Sequence, residues 1–214
     1  MKTLSLLVVT FALAMGITLT AQDETDYTKA MEAAIEQLDK VQNAADLRVC
    51  KNSFDRIAGS YETQWLPVYY AAYLNTELVY WEKKSDQDSM RLAEAEKYLK
   101  RLDEMEDADR SEVENLWGYY YMCRISQDPD NLVQQLFQVT VTKFETAMAL
   151  NPENPRPVIL LTFYEQNLPP FLQSQRNRAE EKKKAEALFS KEKKSYTRPY
   201  WGKYFLQMIN TDSE

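Results

Sequence analysis

The chain has 214 residues, 26 Lys and Arg against 33 Asp and Glu, a net charge of −7 and no histidine. Without histidine there is no Ser-His-Asp or Cys-His nucleophile system, no imidazole metal site and none of the commonest general base. The charge is uneven: residues 22–175 carry 15 basic and 27 acidic side chains, and residues 176–203 carry ten and four. One short basic segment on an acidic body is not the basic face that nucleic acid requires, so no nucleic-acid partner is expected.

The first stretch reads as a leader. Lys2 supplies a positive start, Leu4–Ala14 is an apolar run, and Gly16, Thr18, Thr20 and Ala21 follow as small or polar residues. That pattern predicts a signal peptide over residues 1–21, cleaved after Ala21. No cysteine follows the apolar run, so no lipid anchor is expected there. The expected product is an exported protein, periplasmic or secreted, with residues 22–214 as one domain and no integral membrane segment. Only four glycines occur in the whole chain, which points to an all-α protein.

Apolar residues at three- and four-residue spacing predict the helices in order. Tyr27, Met31, Ala34, Ile35, Leu38 and Val41 mark a helix over 24–42. Asn43 with Asp46 starts a second, striped by Leu47, Cys50, Phe54 and Ile57 and ended by Gly59. The third begins near Thr63, with Pro67 in its first turn, and is rich in aromatics from Trp65 to Trp81. Ser85 and Asp88 open the fourth, striped by Leu92, Ala95, Leu99 and Leu102. Ser111-x-x-Glu114 reads as a capping box for the fifth helix, and Asp128-Pro129 as the start of the sixth. The sixth keeps helical spacing through Val139–Thr142 despite the β-branched run. Asn154-Pro155 opens the seventh helix, and Leu168-Pro-Pro-Phe-Leu172 interrupts regular structure. Asn177-x-x-Glu180 opens the eighth, and a closing helix is expected after Pro199, with Trp201, Tyr204, Phe205 and Met208.

Two of these segments carry a pattern. Glu114-x2-Trp117-Gly118-x2-Tyr121 is followed by Thr140-x3-Phe144-x2-Ala147-x4-Pro152. This resembles the tetratricopeptide repeat, in which a small residue allows close helix approach and aromatics fill the space between helices. Tyr121 and Thr140 are about ten residues further apart than a unit of roughly 34 residues allows, so longer helices are expected. Cys50-x3-Phe54, Ala95-x3-Leu99 and Ala185-x3-Phe189 echo the second half of the repeat, and Ala71 takes the close-contact place. Trp65-Leu-Pro-x-Tyr69, Asn151-Pro-x-Asn-Pro-Arg156, the Gln166-Asn-Leu168 turn and Arg198-Pro-x-Trp-Gly202 are similar to small exported bacterial tetratricopeptide-like proteins. The resemblance implies an α-α superhelix of about four antiparallel helix pairs plus a C-terminal capping helix. It also implies a binding or assembly role.

In tetratricopeptide stacks the first helix of each pair lines a concave groove. Carried over residue by residue, that implies a partner-binding groove of Trp65, Asn75, Asn115, Tyr119, Met122, Arg156, Phe163 and Gln166. Asn75, Asn115 and Arg156 would hold an extended peptide's polar groups, and Trp65, Tyr119 and Phe163 would form apolar pockets. The carboxylate pairs Asp86/Asp88 and Asp128/Asp130 lie at helix starts, where capping accounts for them. No catalytic residue, metal site or cofactor is expected. The expected function is a non-enzymatic module that binds another protein or a peptide. The alternative is a small-ligand or glycan-binding protein using the aromatic surface and the 168–176 loop, and a third reading is self-association through the aromatic terminal helix. Cys50 and Cys123 read as buried small hydrophobes, and export would permit a disulfide between them.

Overall fold

The computed structural model describes residues 23–82 and 85–211. The expected leader and its cleavage after Ala21 lie outside the described residues. Those described are helical, with no strand among them. Helix α1 covers residues 23–38. It is followed by α2 (Ala44–Ser60), α3 (Trp65–Glu82), α4 (Asp88–Glu104), α5 (Arg110–Gln127), α6 (Pro129–Leu150), α7 (Pro155–Gln166) and α8 (Arg178–Lys191). Consecutive helices pack as neighbours, α3 with α4, α5 with α6 and α7 with α8, and α2 also packs on α3. Ser53 of α2 donates to Gln37 of α1, and the Tyr27 and Tyr61 rings meet edge to face at 5.1 Å.

The starts of several helices follow from their Asn residues. Asn43 Oδ1 accepts from Ala45 N and Asp46 N at 2.9 and 3.0 Å. Asn154 Oδ1 accepts from Arg156 N, and Asn177 Oδ1 from Glu180 N. Each satisfies an amide that the helix leaves without a partner. Helix α5 departs from the capping-box reading. Asp109 caps it, accepting from Ser111 N and Glu112 N. The Ser111 hydroxyl instead donates 2.8 Å to Ala147 O at the end of α6, and Asn154 donates to Ser111 Oγ. Asp128 stands at the cap position of α6 without a capping bond, its carboxylate taken by Asn131. Helix α2 runs one residue past Gly59, to Ser60.

Helix α3 is buried on every side. All fourteen residues from Leu66 to Val79 are enclosed, which is the position of an apolar central helix and not of an amphipathic surface one. Gly118 of α5 faces Phe144 of α6, and Cys50, Phe54, Ala71, Ala95, Leu99, Trp117 and Ala147 are buried at helix contacts. Trp117 and Tyr121 stack with centroids 5.5 Å apart. Pro152 lies in the α6–α7 turn. Cys50 and Cys123 are both buried, free thiols.

The closing helix expected after Pro199 is present as a short 3-10 helix. After α8 an extended stretch leads to Gly202, in the left-handed region at φ 92°, and then a 3-10 helix over Lys203–Met208. This segment crosses back over α3, α5 and α7.

Candidate functional site

The returning C-terminal segment occupies the face that the repeat resemblance assigns to a partner. Its first half, Pro199–Gly202, rests on a buried charged cluster. Arg156 Nη1 lies 3.0 Å from Glu112 Oε1 and 2.9 Å from Glu192 Oε1, and its Nη2 donates 2.7 Å to Pro199 O. Glu112 also accepts from the Tyr69 hydroxyl, which in turn accepts from Trp201 Nε1 at 2.9 Å. The amide of Tyr200 donates to the Tyr70 hydroxyl. Burial pushes the Glu112 carboxyl up from the ordinary carboxylate range, and the Arg156 guanidinium pulls it back. Arg156 itself, 2% exposed, stays protonated: burial disfavours its charge most strongly, but Glu112, Glu192 and the Tyr69 and Tyr70 hydroxyls together outweigh that.

The second half rests on an aromatic floor and a second buried carboxylate. Glu77 is the one charged residue between Trp65 and Trp81. It accepts from the hydroxyls of Tyr119 and Tyr204 and from Trp81 Nε1 at 2.7 Å. Desolvation raises its pKa, and these three donors partly oppose the shift. Where the two halves meet, Trp201 of the first stacks on Tyr73, centroids 4.0 Å apart. Phe205, fully buried, lies against Phe163, Tyr119 and Tyr80 at 5.2, 5.9 and 6.1 Å. Gln166 clasps the far end, with Nε2 to Met208 O at 2.8 Å and Oε1 from Asn210 N at 3.1 Å.

These contacts correct the groove. Asn75, Asn115, Tyr119 and Arg156 are enclosed at 1, 0, 0 and 2% exposure, and none is open to a peptide. Asn75 Nδ2 donates back to Ala71 O, while both amide atoms of Asn115 are buried with no protein partner. Trp65 is half-buried, edge-on to Tyr69. Gln166 holds the chain's own terminus. Met122 and Phe163 have a different role: they line an apolar pocket of about 360 Å³.

That pocket lies between the ends of α3, α5 and α7 and the start of α6. Its walls are Tyr80, Met122, Ile125, Phe163, Tyr164 and Leu168, with Cys123 at the floor and Pro129 at the rim. Polar groups at the rim are already engaged: Ser126 Oγ donates to Cys123 O, and Asn167 Nδ2 to Phe163 O. Burial pushes the Cys123 thiol well above its usual range, so it stands as a neutral apolar surface. Beside Leu168 the Pro169–Pro170 turn continues into a short 3-10 helix, Pro170–Leu172, on which Phe171 is 83% exposed. The sequence offered a signal for the buried carboxylates, a single Glu in an aromatic helix. It offered none for the pocket, which is made by four helix ends far apart in the chain.

The described residues thus form an all-α protein of successive helix pairs, with no helix among them long and apolar enough to cross a membrane. No protein-family model matches the chain, and no curated protein matches it. Among solved structures the fold is similar to that of the HusA haemophore from Porphyromonas gingivalis, with a TM-score of 0.74 and 20% sequence identity. The likeness covers 88% of this chain and 94% of that one.

Proposed function

We propose that this protein is an exported, non-enzymatic binding protein that takes a flat, largely apolar small molecule into the pocket beside α5 and α7. The lining carries the reading: aromatic rings, thioether and aliphatic groups line a half-open pocket of about 360 Å³, within the size range of small-molecule sites and with few free polar groups. A glycan would need several unengaged hydrogen-bond groups there, and with Ser126 Oγ and Asn167 Nδ2 occupied the lining keeps few, the Tyr164 hydroxyl among them. An extended peptide in a concave groove loses its lining, because the C-terminal segment covers Tyr119 and Arg156. We read the helix pairs as tetratricopeptide-like, with that groove filled by the chain itself. The similar structure is a haemophore, which supports haem as the first probe, as cargo and not as a resident cofactor.

Titration of residues 22–214 with haemin tests this. Saturable binding is expected for the native chain and loss of binding for Ser126→Trp, which places an indole across the pocket mouth from an exposed helix position. A folded Ser126→Trp protein that binds as the native one does would remove the pocket from consideration.

A further inference from the structure

The pocket and the seat of Phe205 share two walls. Tyr80 and Phe163 line the pocket on one side and hold the Phe205 ring on the other, at 6.1 and 5.2 Å. The segment that delivers Phe205 is fastened unequally. Ahead of Gly202 it is tied to a buried ion pair through Pro199 O and to two tyrosine hydroxyls through Tyr200 and Trp201. Beyond Gly202 its ties include Tyr204 to Glu77, the exposed Gln166 clasp, a long contact from Lys182 Nζ to Ile209 O at 3.5 Å and another from the Tyr80 hydroxyl to Met208 Sδ at 3.8 Å. Apolar burial of Phe205, Leu206 and Ile209 does the rest. Gly202, at φ 92°, is a backbone joint between the two halves.

We infer that the seat of Phe205 is a second ligand subsite, which Phe205 fills in the empty protein and vacates when a flat aromatic molecule enters. This rests on the ligand reading above and deepens it. Residues 203–210 then act as a strap hinged at Gly202. Displacing Phe205 uncovers the faces of Tyr80, Tyr119 and Phe163 and joins them to the pocket, giving a longer aromatic slot. The cost of opening is the apolar contact that Phe205 gives up, and only a ligand offering equivalent aromatic surface restores it. A polar ligand leaves the strap shut. The slot therefore selects for planar aromatic molecules larger than the closed pocket admits.

Two variants test the inference with haemin as the probe. Phe205→Ala empties the seat in advance, and apolar cavities of that kind take up aromatic ligands. Its haemin affinity is expected to rise about tenfold, since the ligand no longer competes with a buried ring. Gln166→Ala leaves every core side chain in place and loosens the strap's end. It is expected to raise the haemin association rate about fivefold, the weight of two weak, exposed hydrogen bonds, and to speed amide exchange over 203–210 while sparing Tyr200 and Trp201. Haemin binding to the native chain should alter exchange in the same 203–210 stretch. If haemin binds the native chain but affinity, rate and exchange are unmoved in folded variants, the second subsite is wrong and the pocket stands. Binding by Phe205→Ala and not by the native chain would support the seat and overturn the pocket as the native site. Binding by neither removes both.

Discussion

The ring of Phe144 in α6 stands 2.7 Å from where a β-carbon on Gly118 of α5 would lie. Phe144 is fully buried, and three of its ring carbons lie at 2.7, 2.8 and 2.9 Å from that position. Gly118→Ala should therefore destabilise the protein. Overpacking costs about 1–3 kcal/mol, against roughly 1 kcal/mol gained in helix propensity. Urea unfolding should show a lower midpoint. Gly118→Ala with Phe144→Leu should recover part of the loss, giving a coupling energy on the order of 1 kcal/mol in a double-mutant cycle. Additive losses would mean that the two residues do not press on each other.

The Arg156 cluster makes a second prediction. Arg156→Met leaves Glu112 facing only the Tyr69 hydroxyl, and leaves Pro199 O without its donor. Breaking a buried pair from one side costs about 3–5 kcal/mol, mostly from the stranded charge. Glu112→Gln in the same protein should return a good part of it. Chemical denaturation of the two variants checks the order. Equal stability for the single and double variants would show that the Glu112 charge is not the source of the loss.

How much of this was legible beforehand depends on the range of the interaction. Helix starts at Asn43, Asn154 and Asn177 could be read because an Asn cap bonds amides within three residues of itself. The choice between Ser111 and Asp109 could not, since Ala147 O and the Asn154 amide recruit Ser111 from across the fold. The type of the closing helix was not legible for a related reason. Phe205 and Met208 are three residues apart, a spacing that α- and 3-10 helices share. Only the left-handed backbone at Gly202 breaks the continuity. The groove-facing positions followed from the repeat resemblance, which says nothing about a later segment returning to cover them.

Glu77 sets a pH dependence. Burial raises its folded pKa above the ordinary value of 4.5. In the window between the unfolded and folded values the native state holds a proton that the unfolded state has released. This group's contribution is therefore complete below about 4.5 and declines as pH rises through the folded pKa. Glu77→Gln keeps an acceptor for Tyr204 and Trp81 and should remove that decline. Thermal unfolding from pH 4 to 8 for both proteins checks it. A difference between the two melting curves that stays constant with pH would assign Glu77 an unshifted pKa.

The thiols offer a simpler check. Cys50 and Cys123 are 0 and 1% exposed, and burial pushes Cys50 up to about 11. Neither should react appreciably with a disulfide reagent at pH 8 in the native protein, and both should titrate in urea. Rapid reaction of Cys123 alone would indicate that the pocket floor opens to solvent.

The terminal segment also governs how the protein is made. Tyr196 meets Glu36 across 160 positions of chain, Trp201 meets Tyr69 across 132, and Tyr204 meets Glu77 across 127. Contacts of such separation form late and slow the final folding step. Until residues 199–210 have been synthesised, Tyr69, Tyr73, Tyr119 and Phe163 form an uncovered aromatic face on an otherwise paired set of helices. A nascent chain in that state is sticky, and premature termination near residue 198 would yield an aggregating product instead of a slightly shortened one.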